Sequence, residues 1–171
     1  MADPHIQSPM DHYDHITVVI YRLGFTLACP VIALLPWHSG LPITIESLVM
    51  LCAAMCASSL HIYMKSFRLL LQFATWIGLL CFVLGYPYLG MGGALITLGG
   101  LCFKEHYCFK VPGLRLQPLI LAALWLCLVL DFDIAAKVLA AISALLFLVT
   151  SIYKWRMPRH YDIGDKSKYE V

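Results

Sequence analysis

Residues 134–153 read IAAKVLAAISALLFLVTSIY, an apolar run interrupted by a single charge, Lys137. Such a run is close to the roughly 20 residues that cross about 30 Å of hydrocarbon at 1.5 Å per residue. Asp133 stands immediately before it as the expected helix cap, four positions from Lys137, a spacing that permits an ion pair. Working back toward the N-terminus, the same pattern recurs five times. A fifth segment covers about 116–130, with Pro118 tolerable in its first turn. The fourth, 88–103, is glycine-rich and is closed by Lys104 and Glu105. The third, 67–84, stops at Gly85-Tyr86-Pro87. The second, 43–63, has Thr44 as its cap and Glu46 in its first turn, where an acid suits the helix dipole. The first, 16–35, carries Arg22 and is followed by a turn containing Pro36, His38, Gly40 and Pro42.

The whole chain agrees with this reading. It is 61% hydrophobic and 13% charged, with mean hydropathy +0.80, more apolar than polar surface could cover in water. The expected fold is all-α, a polytopic transmembrane bundle of six short helices. Residues 1–15 form an interfacial lead, 16–155 the membrane domain, and 156–171 a cytoplasmic polar tail expected to be mobile. Helices four and five are short for an average bilayer, which predicts local thinning, sunken ends or lateral packing, with full crossing or re-entry of helix four left open.

Basic residues set the orientation, because short loops rich in Lys and Arg stay in the cytoplasm. Lys65 and Arg68 follow the second segment; Lys104, Lys110 and Arg115 the fourth; Lys154, Arg156, Arg159, Lys166 and Lys168 the sixth. With six spans these all fall on one side, together with both termini, and only Lys137 lies on the other. The expected location is a bacterial inner membrane, crossed several times.

Several classes are excluded or disfavoured. A net charge of +2 with scattered basic residues gives no surface for nucleic acid. The first fifteen residues hold Asp3, Asp11 and Asp14 and no Lys or Arg, unlike the n-region of a secretory signal. There is no Gly-x-Ser-x-Gly elbow, His-Glu-x-x-His pair or phosphate loop, and Ser58-Ser59 near His61 reads as packing. The expectation is a non-catalytic protein, with an enzyme left open.

The stretch Phe103-Lys104-Glu105-His106-Tyr107-Cys108-Phe109-Lys110, after a glycine-rich membrane segment, and the early Val19-Ile20-Tyr21-Arg22-Leu23-Gly24 carry a resemblance. The chain resembles a family of small uncharacterised bacterial integral membrane proteins found in cyanobacteria and proteobacteria. The resemblance implies a bacterial membrane location and a shared fold, and it implies no activity.

Ionisable groups inside a membrane are costly and pair or face a polar cavity. Arg22 and Glu105 fall at one depth and are the expected ion pair, with Lys104, His61 and His106 near them; snorkelling of Arg22 and lipid contact by Lys104 and Lys110 are the plainer readings. His61 and His106 on neighbouring helices raise haem ligation as an alternative, although no cofactor or metal is expected. Asp11-His12-Tyr13-Asp14-His15 reads as an interfacial lead and not as a metal site. Of the seven cysteines, six fall in spans as small hydrophobes and Cys108 falls in the loop as a free thiol. Gly90 with Ala94, and Gly93 with Thr97, give small faces for close helix packing. The function these features suggest is an accessory subunit or assembly factor of a larger membrane complex. Its partners are the lipid bilayer and other membrane proteins or a second copy. The alternatives are a haem- or redox-cofactor-binding protein, and a small-solute carrier or channel.

Overall fold

The computed structural model describes residues 9–37 and 44–170. Within them the chain is helical: α1 His12–Leu34, α2 Ile45–Ala57, α3 Lys65–Val83, α4 Pro87–Phe109, α5 Gln117–Val129, α6 Asp133–Arg156 and a four-residue α7, His160–Ile163. Each of the six expected apolar segments has its helix, and α7 is additional. By length and composition, α1, α3 and α6 are long and apolar enough to cross a membrane, against six such spans expected.

The boundaries move for identifiable reasons. Helix α1 starts at His12, four residues early, because Asp11 and Asp14 form a capping box: the Asp14 N–H donates to Asp11 Oδ1 at 2.8 Å and the Asp11 N–H to Asp14 Oδ2 at 3.0 Å. Of the turn expected after it, His38, Gly40 and Pro42 lie outside the described residues. Helix α2 is capped by Thr44, which accepts from the Ser47 N–H at 3.3 Å, with Glu46 in its first turn. It ends at Ala57 instead of continuing to residue 63. The Ser58 hydroxyl donates back to Met55 O at 2.9 Å, a local bond that competes with helix continuation. The chain from 58 to 64 then runs irregularly. Asp133 is the first residue of α6 and Phe132 its cap, while Lys137 Nζ reaches Asp133 Oδ2 at 2.6 Å as its spacing requires.

The largest correction concerns α4. It has 23 residues and a length of about 34 Å, so it is not short. Lys104 and Glu105 do not end it, because Glu105 is buried among partners inside the bundle. The helix stops one turn later at Lys110, whose φ of 52° is left-handed and whose N–H returns to His106 O at 2.8 Å. Cys108 therefore lies in the last turn of α4 and not in a loop. Helices α2 and α5, at 13 residues each, reach only about 20 Å.

Helices α1, α2, α4, α5 and α6 close a ring around the core: α1 packs on α2 and α6, α4 on α2, α5 and α6, and α5 on α6. Phe25 and Phe147 meet at its centre with ring centroids 5.1 Å apart, beside fully buried Leu98, Leu101 and Cys102. Helix α3 lies outside the ring against α4 and α2. Its seam with α4 is made of small residues. A Cβ on Gly90 would stand 2.9 Å from Gly78 O, and one on Gly93 would strike Ala74 O. Above this crossing the Thr75 and Thr97 hydroxyls are 2.6 Å apart, one donating to the other, and each lies 3.0 Å from Leu71 O, which accepts from the one whose proton is free. Ala94 is buried beside them. Close backbone approach and hydroxyl bonding are what join helices where hydrocarbon gives no hydrophobic drive.

Substitution at this seam separates backbone contact from side-chain contact. Gly93→Ala meets fixed backbone, whereas a Cβ on Gly100 meets the movable end of the Leu71 side chain. Gly93→Ala is expected to lower the melting temperature in detergent clearly more than Gly100→Ala; equal effects would contradict a rigid α3–α4 crossing.

Candidate functional site

At the end of the bundle where α1 begins and α6 ends, four charged side chains and a tyrosine meet away from solvent. Tyr21 and Arg22 come from α1, Glu105 from α4, Lys154 from α6 and Asp162 from α7. The side chains of Arg22, Glu105, Lys154 and Asp162 are 2, 0, 2 and 1% exposed. They alternate in sign along a chain. Arg22 donates through Nε and Nη2 to Asp162 Oδ2 at 2.8 and 2.5 Å. Lys154 Nζ bridges from Asp162 Oδ1 to Glu105 Oε1, the latter at 3.0 Å. Glu105 Oε1 also accepts from the Tyr21 hydroxyl at 2.7 Å and lies 3.3 Å from Lys104 Nζ. Two buried cations thus face two buried anions, the arrangement that buried charge demands, and Lys104 adds one partly exposed positive charge at the edge. Aromatic faces complete the setting: Lys154 Nζ and Lys104 Nζ lie 4.7 and 5.2 Å from the Tyr21 ring centre, and Arg22 lies 5.8 Å from that of Trp155.

The expected pair is therefore revised. Arg22 and Glu105 belong to one network but do not bond to each other; Asp162 and Lys154 stand between them. The reason lies in the polar segment after α6, which was expected to be mobile and instead folds back as α7. Asp162 and Ile163 are buried there. Beyond it the chain is strapped down: the Asp165 N–H donates to the Tyr63 hydroxyl at 2.7 Å and the Glu170 N–H to Tyr63 O at 3.1 Å. Arg68 donates to Glu170 O at 2.9 Å, Lys166 pairs with Asp14 at 2.5 Å, and the Tyr63 and Tyr169 rings meet edge-on. Nothing in the composition of residues 156–171 marks Asp162 as an interior residue, and Lys154 reads as the basic end of an apolar run. Only the need of Arg22 for a counter-charge signals that an acid must come from somewhere.

Beside the network lies a cavity of about 310 Å³, lined by His61, Lys104, Glu105, Lys154, Tyr161 and Asp162 together with apolar side chains. Glu105 Oε2 is buried without a hydrogen-bond partner, although its twin Oε1 is crowded by three donors. His61 sits in the irregular segment after α2, with Nε2 3.1 Å from the Thr17 hydroxyl. That hydroxyl donates to Asp14 O at 3.0 Å, so the imidazole serves as donor. Burial, reinforced by the Lys104 charge, pushes the His61 imidazole down to about 4 and keeps it neutral near pH 7. His106 is on α4 but outside the cavity lining; its Nδ1 lies 3.4 Å from Val111 O. The two histidines are thus committed to separate surroundings and do not present a shared pocket. Gly90, Gly93, Ala94 and Thr97 face α3, away from this end. Among the described residues no group of three or more His, Cys, Asp or Glu could hold a metal ion.

Residues 85–171 match the family described as "Uncharacterized integral membrane protein (DUF2301)". A relative from Haemophilus influenzae, described as "Uncharacterized protein", is 56% identical over 171 residues, all of both chains. The chain belongs to this family of integral membrane proteins. No solved structure matches it. The segment matched by the family begins just before α4 and includes Glu105, Lys154 and Asp162, whereas Tyr21 and Arg22 come from the part outside it. In this family member the network thus joins the matched segment to the first helix.

Two measurements probe the site. Asp162→Asn leaves Arg22 and half of Lys154 uncompensated in the interior, and breaking such a pair costs roughly 3–5 kcal/mol. A large drop in melting temperature is expected, partly reversed in Arg22→Gln/Asp162→Asn, where Lys154 keeps Glu105; an unchanged single variant would refute the network. For His61, the folded-state value lies below the ordinary 6.5, so the unfolded chain takes up a proton first as pH falls. Stability should then decline from pH 6.5 toward 4, and His61→Gln should flatten that slope in a melting series from pH 7 to 5.

Proposed function

We propose that this protein is a non-catalytic, multi-pass component of the bacterial inner membrane that binds a small organic anion carrying an amine or hydroxyl group. The observation that carries this reading is the cavity whose lining gathers His61, Lys104, Glu105 and Lys154, with Glu105 Oε2 closed off behind its wall and unpartnered among the described residues. A buried acceptor left unmatched is costly, and a ligand that displaced its cover would offer it a donor. The partly exposed Lys104 ammonium, with 22% of its side chain accessible, would meet the acidic group of the same molecule. About 310 Å³ is at the small end of ligand pockets, which suits a compact solute. Lys65, Arg68, Lys104, Lys110, Arg115, Lys154, Arg156 and Arg159 cluster toward this end, which supports placing it and both termini in the cytoplasm.

A second reading, an accessory subunit docked in a larger complex, is favoured by α3. Only 17% of its apolar window is buried, against 44% for α1 and 39% for α6, so its flank is open to a lateral partner as well as to lipid. Haem ligation by His61 and His106 gains no support from their separate placements.

Melting of the purified protein against amino acids and hydroxy acids at fixed ionic strength tests the first reading. At least one is expected to stabilise the wild type, and Lys104→Gln, which keeps the Tyr21–Glu105–Lys154 contacts, is expected to lose that response. If no compound acts while stoichiometric companions co-purify from native membrane, the accessory reading replaces it.

A further inference from the structure

On the opposite side of α4 from the ring's centre, helices α3 and α5 both pack on α4 and leave a groove of about 880 Å³ between them. Gly92, Gly93 and Gly100 of α4 form its floor, Leu70 and Leu71 one wall, Leu119 and Ala122 the other. Apart from Arg115, no charged residue lines it. We propose that this groove seats one acyl chain of an anionic phospholipid whose phosphate is held by Arg115.

The length of the groove selects the occupant. From Leu89 to Phe103 it follows α4 for about 21 Å, about two-thirds of the roughly 30 Å hydrocarbon thickness, which is room for an extended acyl chain of one leaflet. A partner's spanning helix would need the full thickness. The ends select the orientation. Trp125 lies at the deep end, where its ring covers Gly92 and its Nε1 donates to Tyr88 O at 2.8 Å. Arg115 lies at the other end, beside Phe103, in the 3-10 turn Leu114–Leu116 that leads into α5. Its side chain is exposed and makes no hydrogen bond or ion pair among the described residues. A guanidinium held at headgroup depth above an apolar groove offers a phosphate two parallel donors. Nearby Lys110 is exposed too, which favours a net negative headgroup over a zwitterionic one. The small floor residues serve this geometry by letting α3 come close, since a Cβ at Gly93 would meet the Ala74 backbone and one at Gly100 the Leu71 side chain.

Native mass spectrometry and melting of the delipidated full-length protein test the proposal, using phosphatidylglycerol, phosphatidylcholine of the same chains, and glycerol 3-phosphate. Phosphatidylglycerol is expected to remain as a one-to-one adduct and to raise the melting temperature more than phosphatidylcholine. Arg115→Gln should weaken its retention about tenfold, the loss of one charge-assisted contact, and bring it to the phosphatidylcholine level. Ala122→Trp, which fills the groove, should abolish retention of both lipids. Equal retention of the two lipids by the wild type, or no effect of Arg115→Gln, would mean annular lipid only and would overturn the proposal. So would equal stabilisation by glycerol 3-phosphate, which lacks the chain. If Ala122→Trp fails to fold, the Arg115→Gln comparison decides alone.

Discussion

A guanidinium buried on the first helix forces much of what surrounds it. Arg22 cannot reach solvent, so it needs a carboxylate, and the carboxylate that reaches it, Asp162, comes from beyond the last long helix. Bringing Asp162 inside places it against Lys154, and Lys154 in turn reaches Glu105. Each charge is tolerable only because the next is present. Three helices and the returning segment are thereby fixed to one another at one end of the bundle.

Helix α4 is the counterpart of that network along the length of the bundle. It touches α2, α3, α5 and α6, and its glycines let α3 approach while leaving a trough on the lipid side. The same helix carries Glu105 into the polar cluster. A polar network and a close-packed apolar seam thus share one rigid rod, and any tilt of α4 must disturb both.

The apolar segments were legible because their lengths and interruptions obey the bilayer's own dimensions. Thr44 as a cap and the Asp133–Lys137 pair were legible because capping and four-residue spacing are local rules. What could not be read was tertiary. Lys104 and Glu105 look like a helix terminus until Tyr21 and Lys154 are known to surround the carboxylate. Residues 58–64 look like the end of an apolar span, yet Ser58 bonds backward and the chain unwinds to line a cavity. The polar composition after residue 156 gives no sign that one of its acids is interior. That Arg22 needs a counter-charge is legible; that Asp162 supplies it is not, because this acid lies in a polar segment beyond the last apolar run.

The position of Asp162 in the order of synthesis adds a temporal meaning to the network. Arg22 enters the membrane with the first helix, and Lys154 with the sixth, long before or just before the ribosome has made residue 162. Once Lys154 is made, two buried cations share the single carboxylate of Glu105 until residue 162 arrives. Closure of α7 cancels that surplus in one step. A chain that stops between residues 154 and 162 therefore keeps one buried cation unmatched, while a finished one is balanced.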